Sequence, residues 1–263
     1  MENNSAPPGK VVQDEAPSAV YRPEGGKMVK GLFSTQTVEK VGTGTTQRKT
    51  ISKMYWFCQQ TEAGVVAVQP LNRNMVPAGT ATPVPLEDFL AKYSPEPELY
   101  VKTVFPKMQE LNRTVQRAEE QRQRGALYSA QFEFENAIAV DEENVRANFG
   151  LGLTYMERGD NSKAKDILER IVGLDAAFAP EHKHLFNEFG ISLRKSRMVD
   201  QAIEYYSRAL SMTETDENLH YNMARAYFEK GDTAKCREHL VRAKQLNPEH
   251  EEVLKFLAYL DKK

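Results

Sequence analysis

Cysteine is scarce in this chain of 263 residues, which contains only Cys58 and Cys236. Two cysteines cannot form the disulfide framework of a small secreted domain, and free thiols are typical of a reducing compartment. Long apolar stretches are missing too, because no run approaches the roughly 20 residues that cross a bilayer. The N-terminus also lacks the apolar core of a secretory signal. These absences predict a cytoplasmic protein without a membrane span.

The motifs of the common nucleotide, metal and hydrolase sites are absent as well. The sequence has no GxxxxGKS/T, GxGxxG, HExxH, CxxC or GxSxG pattern. Gly42 to Thr46 contains glycines but no lysine leading into a helix, so a hairpin turn is the better interpretation. Five residues of the repeat region are candidate metal ligands by type, but none has the spacing of a zinc motif; they are His182, His184, His220, His239 and Cys236. The sequence therefore predicts no catalytic function, no metal site and no cofactor.

Charge is nearly balanced, with 35 Lys and Arg against 37 Asp and Glu and a net charge of −2. This balance does not favour one class of partner over another. Because 40% of the residues are hydrophobic and 27% are charged, the chain can bury a core. Its length leaves room for one main domain and a smaller second module.

A helical hairpin is encoded between Glu217 and Pro248. Apolar and small residues recur at helical spacing before Gly231-Asp232, which breaks the pattern, and recur again until Pro248 ends it. The positions that carry the pattern are Met223, Ala224, Tyr227 and Phe228, followed by Cys236, Leu240, Ala243 and Leu246. One hairpin of this size cannot bury its apolar face, so it must stack on similar units.

Three earlier copies of the hairpin are present. The turn position steps back from Gly231 by 34 residues to Arg197, by 38 to Gly159 and by 34 to Gly125. A small residue in the first helix keeps the same steps, at Ala224, Gly190, Gly152 and Ala118. The second helices keep three packing positions, which are Cys236, Leu240 and Ala243, then Ala202, Tyr206 and Ala209, then Ala164, Leu168 and Ile171, then Ala130, Phe134 and Ala137. This register predicts a stack of about four helix pairs.

The pattern resembles the tetratricopeptide repeat family, whose 34-residue helix pairs carry a small residue and a tyrosine in the first helix and Ala, an aromatic, Ala and Pro in the second. The resemblance covers residues 111–263. It implies repeats at 111–144, 145–182, 183–216 and 217–250, and a capping helix at 249–262 within a repeat domain at 98–263. Four extra residues near Ala176 to Glu181 lengthen the link between the second and third repeats. The first repeat departs most from the family pattern, because its first helix has Thr114, Arg117 and Gln121 where larger apolar residues are expected.

A small β-rich module is predicted before the repeats, at 29–97, and a disordered tail at 1–28. Residues 32–41, 48–60 and 65–69 are rich in β-branched and aromatic residues and predict an antiparallel meander. The second strand ends in four apolar residues, Tyr55 to Cys58, which predicts that both faces of the sheet are buried against other elements at this end. A loop at 72–83 and a short helix at 85–93 follow. The fold class is therefore mainly α, an α-solenoid preceded by a small α+β module.

The resemblance implies a non-catalytic scaffold or adaptor that binds a peptide or partner protein on the concave surface of the first helices. Helix geometry predicts the side chains on this surface: Arg146, His184, Asn187, Arg194, Tyr221, Asn222 and Arg225, with Phe149, Gly150, Leu153 and Met156 from the second repeat. Arg194, Asn222 and Arg225 resemble part of the arrangement with which some family members hold a terminal carboxylate. The alternative is that they are solvated, or that Arg225 pairs with Glu188.

A second hypothesis concerns the β-rich module. Residues 27–73 contain seven Lys and Arg against two acidic residues, and Tyr55, Trp56 and Phe57 lie among them. Basic residues beside exposed aromatics bind single-stranded nucleic acid or another anion. If these aromatics belong to the core, however, they cannot stack on bases. Nucleic acid is therefore the less favoured partner.

Overall fold

The computed structural model describes residues 29–41, 48–62, 64–179, 182–213 and 215–262. The predicted tail at 1–28 and the predicted turn at 42–46 lie outside these residues. Contacts within the chain divide it into two compact units. The first contains the described residues up to Pro77 together with Ala81–Gln109, and the second contains Ala78–Thr80 and the described residues from Glu110 onward.

The first unit contains an antiparallel sheet with the strand order β4-β3-β2-β1-β5. Its strands are β1 (Lys30–Val41), β2 (Arg48–Glu62), β3 (Val65–Pro70), β4 (Thr82–Pro85) and β5 (Ser94–Pro95). The three predicted strands and their meander are confirmed. The loop predicted at 72–83 is wrong at its end, because β4 begins at Thr82 and pairs with β3.

Both faces of the sheet are covered near the apolar end of β2. Cys58 is fully buried in a cluster with Phe33 and Phe89, and Phe89 belongs to helix α1 (Leu86–Lys92). On the opposite face, Phe57 packs against Tyr100 and other residues of a π-helical turn (Tyr100–Val104) that follows the short α2 (Pro97–Leu99). The predicted burial of this end of β2 on both faces is therefore confirmed, because successive side chains of a strand point to opposite faces.

The rest of the described chain is helical. Its elements are α3 (Phe105–Gln123), α4 (Leu127–Val140), α5 (Val145–Glu157), α6 (Asn161–Gly173), α7 (Lys183–Lys195), α8 (Val199–Met212), α9 (Glu217–Lys230), α10 (Thr233–Leu246) and α11 (Glu251–Asp261). The described residues thus form four helix pairs and a capping helix, and the predicted fold class is confirmed. A 3₁₀ turn (Asp175–Phe178) occupies the longer link, where the Phe178 ring packs against Phe186 and Tyr205 at 5.7 Å.

Small residues let the helices approach closely. A Cβ atom at Gly152 would lie 2.5 Å from the ring of Phe189, and one at Gly190 would lie 2.5 Å from the ring of Tyr206. Such distances are far inside van der Waals contact, so any larger residue would push the helices apart. The turns need a left-handed backbone, which Gly231 adopts with φ 87° and Arg197 adopts with φ 60°.

Candidate functional site

Ion pairs join the first helices to one another on one surface of the repeats. Arg122 of α3 reaches Glu157 of α5 at 2.6 Å and Glu188 of α7 at 2.9 Å. We call the surface on which the side chains of α3, α5, α7 and α9 meet the inner face. Burial of the Arg122 guanidinium by itself lowers its pKa, but the charges of Glu188 and Glu157 outweigh burial and raise it. Arg122 is therefore a fixed cation that holds three helices together.

The predicted residue Arg146 is engaged within the chain. Its Nε donates to Glu119 Oε1 at 3.1 Å and its Nη2 donates to Glu119 Oε2 at 2.6 Å. This two-point geometry is the strongest form of an arginine–carboxylate contact. Arg146 and Arg122 together neutralise the acidic side chains of this part of the inner face.

Helix α5 leaves little surface for a ligand. Phe149, Gly150, Leu153 and Met156 are all buried, and the Phe149 ring packs edge-on against Phe189 at 5.4 Å. The prediction that these four residues line an open groove is wrong. Packing from the neighbouring helices covers α5 nearly all round, whereas the sequence pattern treats one side of it as free.

The predicted residues of the third repeat lie on α7 in different environments. Arg194 is buried, with 7% exposure, and forms an ion pair with Glu229 of α9. Asn187 is half-buried and His184 is exposed. Glu188, the proposed alternative partner of Arg225, pairs with Arg122 instead, so that alternative is wrong.

The predicted residues of the fourth repeat lie on α9. The Arg225 guanidinium lies 5.7 Å from the centre of the Tyr221 ring, which in turn packs against the His250 ring at 5.3 Å. Among the described residues, no carboxylate forms an ion pair with Arg225. Asn222 is 8% exposed and lies one turn before Ala226 on the same helix. A half-buried cation resting on an aromatic ring can accept an anionic group from a ligand.

Five buried polar side-chain atoms of the described residues have no hydrogen-bond partner. In the described part of the chain, the buried side-chain nitrogens and oxygens that lack one are Arg122 Nε, Asn187 Oδ1, Arg194 Nε, Tyr206 Oη and His250 Nδ1. His250 Nδ1 does lie 3.2 Å from Glu252 Oε2, so a carboxylate is close to it even though no hydrogen bond is formed. Each unpaired buried polar atom costs on the order of 1–3 kcal/mol, so native proteins carry few of them without a reason.

Tyr206 was not among the residues that sequence reasoning selected. Its ring is fully buried between α8 and Gly190 of α7, and burial raises the pKa of its hydroxyl while the charges of Arg194 and Arg225 oppose that rise. The sequence register identifies Tyr206 only as a packing residue. The signal that could have identified it is a tyrosine, with its polar hydroxyl, at a position that the register assigns to the packed interior.

The cysteines and histidines show no metal site. Within the described residues, no group of three or more His, Cys, Asp and Glu side chains is placed to hold a metal ion. His220 Nδ1 lies 3.1 Å from His239 Nδ1, a hydrogen bond between α9 and α10. Burial raises the pKa of the free Cys58 thiol to about 12 and that of Cys236 to about 11, so neither is a reactive thiolate. No helix in the described ranges is both long and apolar enough to span a bilayer.

The aromatics of the β-rich unit are engaged in its core. Trp56 donates from Nε1 to Thr35 Oγ1 at 2.9 Å and packs against the cluster around Phe89. Phe57 is 9% exposed, and Lys53 forms an ion pair with Glu96. These contacts remove the stacking surface that the nucleic-acid hypothesis requires.

Comparisons with known proteins found the following similarities. The chain is similar over 107 residues to a peroxisomal targeting signal receptor of Eremothecium gossypii, with 28% identity over 41% of this chain. The match spans only 18% of the length of that receptor. Among solved structures, PilF of Pseudomonas aeruginosa shares 16% identity at a TM-score of 0.45, covering 58% of this chain and 68% of the other. MamA of Desulfovibrio magneticus shares 16% identity at a TM-score of 0.44, covering 57% and 83%.

The family comparison covers half of the sequence. The tetratricopeptide repeat profile matches residues 122–185 and 193–260, which are the residues of the helix pairs from the end of α3 to α11. The register of small residues, the left-handed turns and the helix pairs all agree with this match. The chain belongs to the tetratricopeptide repeat family.

Proposed function

We propose that this protein is a non-catalytic scaffold or adaptor that binds a peptide segment of a partner protein on the inner face, along α7, α9 and the start of α11. Tetratricopeptide arrays are protein-interaction scaffolds, and the finer assignment to this part of the inner face is ours. We place the protein in the cytoplasm, because its two buried cysteines are free thiols.

Arg225 carries the proposal. It is the cation of the predicted set that lies half-buried on the inner face with no ion-pair partner in the described ranges, whereas Arg146 and Arg194 each have a carboxylate. A carboxylate of a bound peptide can pair with it in two-point geometry. Tyr221 beneath the guanidinium holds it in place and offers an aromatic surface to an apolar side chain.

The buried polar atoms of α7 add no direct contact with a bound peptide. Asn187 Oδ1 and Arg194 Nε lack a hydrogen-bond partner but are buried, so a peptide on the surface does not reach them. Among the predicted residues of α7, His184 is exposed to solvent. The proposed contacts are therefore Arg225 and Tyr221 of α9, with His184 of α7.

The proposal is tested with the immobilised chain of residues 1–263. Partners are captured on it from a lysate of the source organism, and the retained proteins are identified by mass spectrometry. We expect the principal partner to be recovered about tenfold less with Arg225→Glu. Arg242→Glu is the matched control, because Arg242 is exposed on α10 and its hydrogen bond is with Gln245 of the same helix.

Asn222→Ala adds a second variant, with circular dichroism to verify its fold because Asn222 is buried. Equal recovery of every partner with wild-type protein and with folded Arg225→Glu would refute the assignment to this part of the inner face.

A further inference from the structure

The last helix, α11, differs from every earlier first helix at one repeat position. The repeat steps lead back from Leu254 to His220, Phe186, Asn148 and Thr114. Phe186, Asn148 and Thr114 are buried and His220 is half-buried, whereas Leu254 is 38% exposed. The same position is thus covered in four pairs and open in α11.

The second helix contributes to this cover in the second, third and fourth pairs. The Phe186 ring stacks on Tyr205 of α8 at 4.8 Å, and His220 hydrogen-bonds His239 of α10. In the second pair, Arg170 of α6 donates to Asn148 at 3.5 Å. Helix α11 is the last described helix, and Leu254 remains exposed where these contacts lie in the earlier pairs.

The small residue that receives a second helix is also present in α11. Ala258 matches Ala224, which is fully buried and clusters with Cys236, Leu240 and Ala243 of α10. Ala258 itself is exposed, and the neighbouring Leu257 is only partly buried. Helix α11 therefore keeps the apolar and small residues with which a first helix packs on its second helix.

The charged residues beside this surface are already paired. Lys255 forms an ion pair with Glu251 at 2.8 Å, and Asp261 forms one with Arg237 of α10 at 2.6 Å. What remains for a partner is the apolar strip of Leu254, Leu257 and Ala258. Its equivalents in pairs three and four contact an amphipathic helix, so continuity of the repeat predicts an occupant of the same kind.

We propose that Leu254, Leu257 and Ala258 form a docking surface for one amphipathic helix of a partner protein, which takes the place of a second helix in a fifth pair. The partner helix carries a small, a large apolar and a small residue at positions i, i+4 and i+7, as Cys236, Leu240 and Ala243 do in α10. This surface is separate from the contacts of Arg225 and does not depend on the proposed function of the inner face.

The chain supplies its own probe. A copy of residues 230–248, with its cysteine replaced by alanine, is fused directly after Lys263, which continues the 34-residue register of the fourth pair. We expect the fused full chain to melt about 2–6 °C above the unfused chain, because tethering gives the added helix a high local concentration. The gain should vanish with Ala258→Glu in the host helix and persist with Ala234→Glu, a matched exposed alanine on α10.

Docking in trans is measured with the same 19 residues as a fluorescent peptide, by anisotropy against the unfused full chain. Saturable binding that Ala258→Glu weakens about tenfold supports the proposal. No thermal gain on fusion, or a gain that survives Ala258→Glu, overturns the proposed surface, and so does no saturable binding up to about 1 mM peptide. The unfused chain could instead form a dimer that Ala258→Glu converts to monomer. That result would overturn the proposed partner helix and identify a second copy of this chain as the occupant.

Discussion

The two halves of the inner face differ in how their charges are used. On α3 and α5, Arg122 and Arg146 are held by Glu119, Glu157 and Glu188. On α7 and α9, Arg194 is paired, but Arg225 has no ion-pair partner in the described ranges. Buried polar atoms without a hydrogen bond occur in both halves, at Arg122 Nε, Asn187 Oδ1 and Arg194 Nε, so the halves differ in the ion pairing of their arginines. One repeat pattern thus produces a closed surface and an open one, depending on which side chains oppose each other across neighbouring helices.

The difference teaches that the repeat register alone does not determine a binding surface. Arg146 and Arg225 were both predicted for the groove. Arg146 has a carboxylate at 2.6 Å, and Arg225 has an aromatic ring at 5.7 Å. Because a carboxylate satisfies a guanidinium and a ring does so only weakly, only the second arginine retains most of its capacity for a ligand.

The largest expected effect is the destabilisation caused by a substitution at Gly190 of α7, in the open half of the inner face. An added Cβ meets the Tyr206 ring at 2.5 Å, so Gly190→Ala should lower the free energy of unfolding by about 1–3 kcal/mol. Gly173→Ala is the control, because nothing lies within 4 Å of its Cβ and helix propensity should stabilise it by about 0.5–1 kcal/mol. Urea denaturation measures both, and equal effects at the two glycines would contradict the close approach of α7 and α8.

Removal of the Arg122 guanidinium should destabilise the packing of α3, α5 and α7 in the closed half of the inner face. Its side chain is 16% exposed and pairs with two carboxylates, so Arg122→Gln should destabilise the chain by about 1–3 kcal/mol. Arg124→Gln removes an exposed contact with Glu120 at 3.8 Å and should cost less than about 0.5 kcal/mol. Chemical denaturation compares the two variants, and a small effect at Arg122 would show that its pairs do not hold the helices together.

Two buried tyrosines sharpen the comparison further. Tyr206 has an unpartnered hydroxyl, so Tyr206→Phe should stabilise the chain by up to about 1 kcal/mol. The Tyr155 hydroxyl donates to Glu135 at 2.8 Å, so Tyr155→Phe should destabilise it by about 1 kcal/mol. Thermal unfolding gives the sign of each change. If both substitutions destabilise equally, the Tyr206 hydroxyl is hydrogen-bonded in solution and the contrast between the two tyrosine hydroxyls is lost.

The smallest expected effect is a pH dependence within the fourth pair. Burial, together with the charge of His220 and of Lys235, lowers the pKa of His239, while Glu238 opposes the shift. The unfolded chain therefore binds a proton at His239 at higher pH than the folded chain does. Stability contributed by neutral His239 is present above pH about 6.5 and falls as pH decreases below that value.

Denaturation at several pH values between 7 and 5 tests this contribution. The decline in unfolding free energy should be shallower with His239→Gln than with the wild type. The exposed Ala234 on the same helix provides the control, because Ala234→Gln changes no titratable group. Parallel slopes for all three proteins would show that His239 does not titrate differently in the folded state.

Much of the fold was predictable from local pattern. The steps from Gly231 to Arg197, Gly159 and Gly125 locate the turns, and the structure gives all four a left-handed backbone. The strands of the meander and the helix after Pro85 were also predictable, because period and turn residues are local properties. Strand β4 was missed, since its four residues contain two prolines and form a strand only by pairing with β3.

The candidate site was less predictable. Helix periodicity places Arg146, Arg194 and Arg225 on equivalent sides of their helices, but it does not reveal Glu119 or Glu229, which lie 27 residues before Arg146 and 35 after Arg194. The burial of Phe149 and Leu153 likewise depends on neighbouring helices. Long-range pairs of this kind are set by the packing of helices from different repeats, which a single repeat does not encode.

The sequence by itself determined that this protein has a small β-rich module followed along the chain by a stack of helix pairs, because hydrophobic period, small packing residues and glycine turns act over a few residues each. Only the tertiary structure decided which polar side chains remain available. Arg122, Arg146 and Arg194 are engaged by carboxylates from other helices, while Arg225 rests on Tyr221 and Leu254 stays uncovered. The physical reason is that charge pairing and burial are properties of neighbours in space, and the stacking of the helices selects those neighbours.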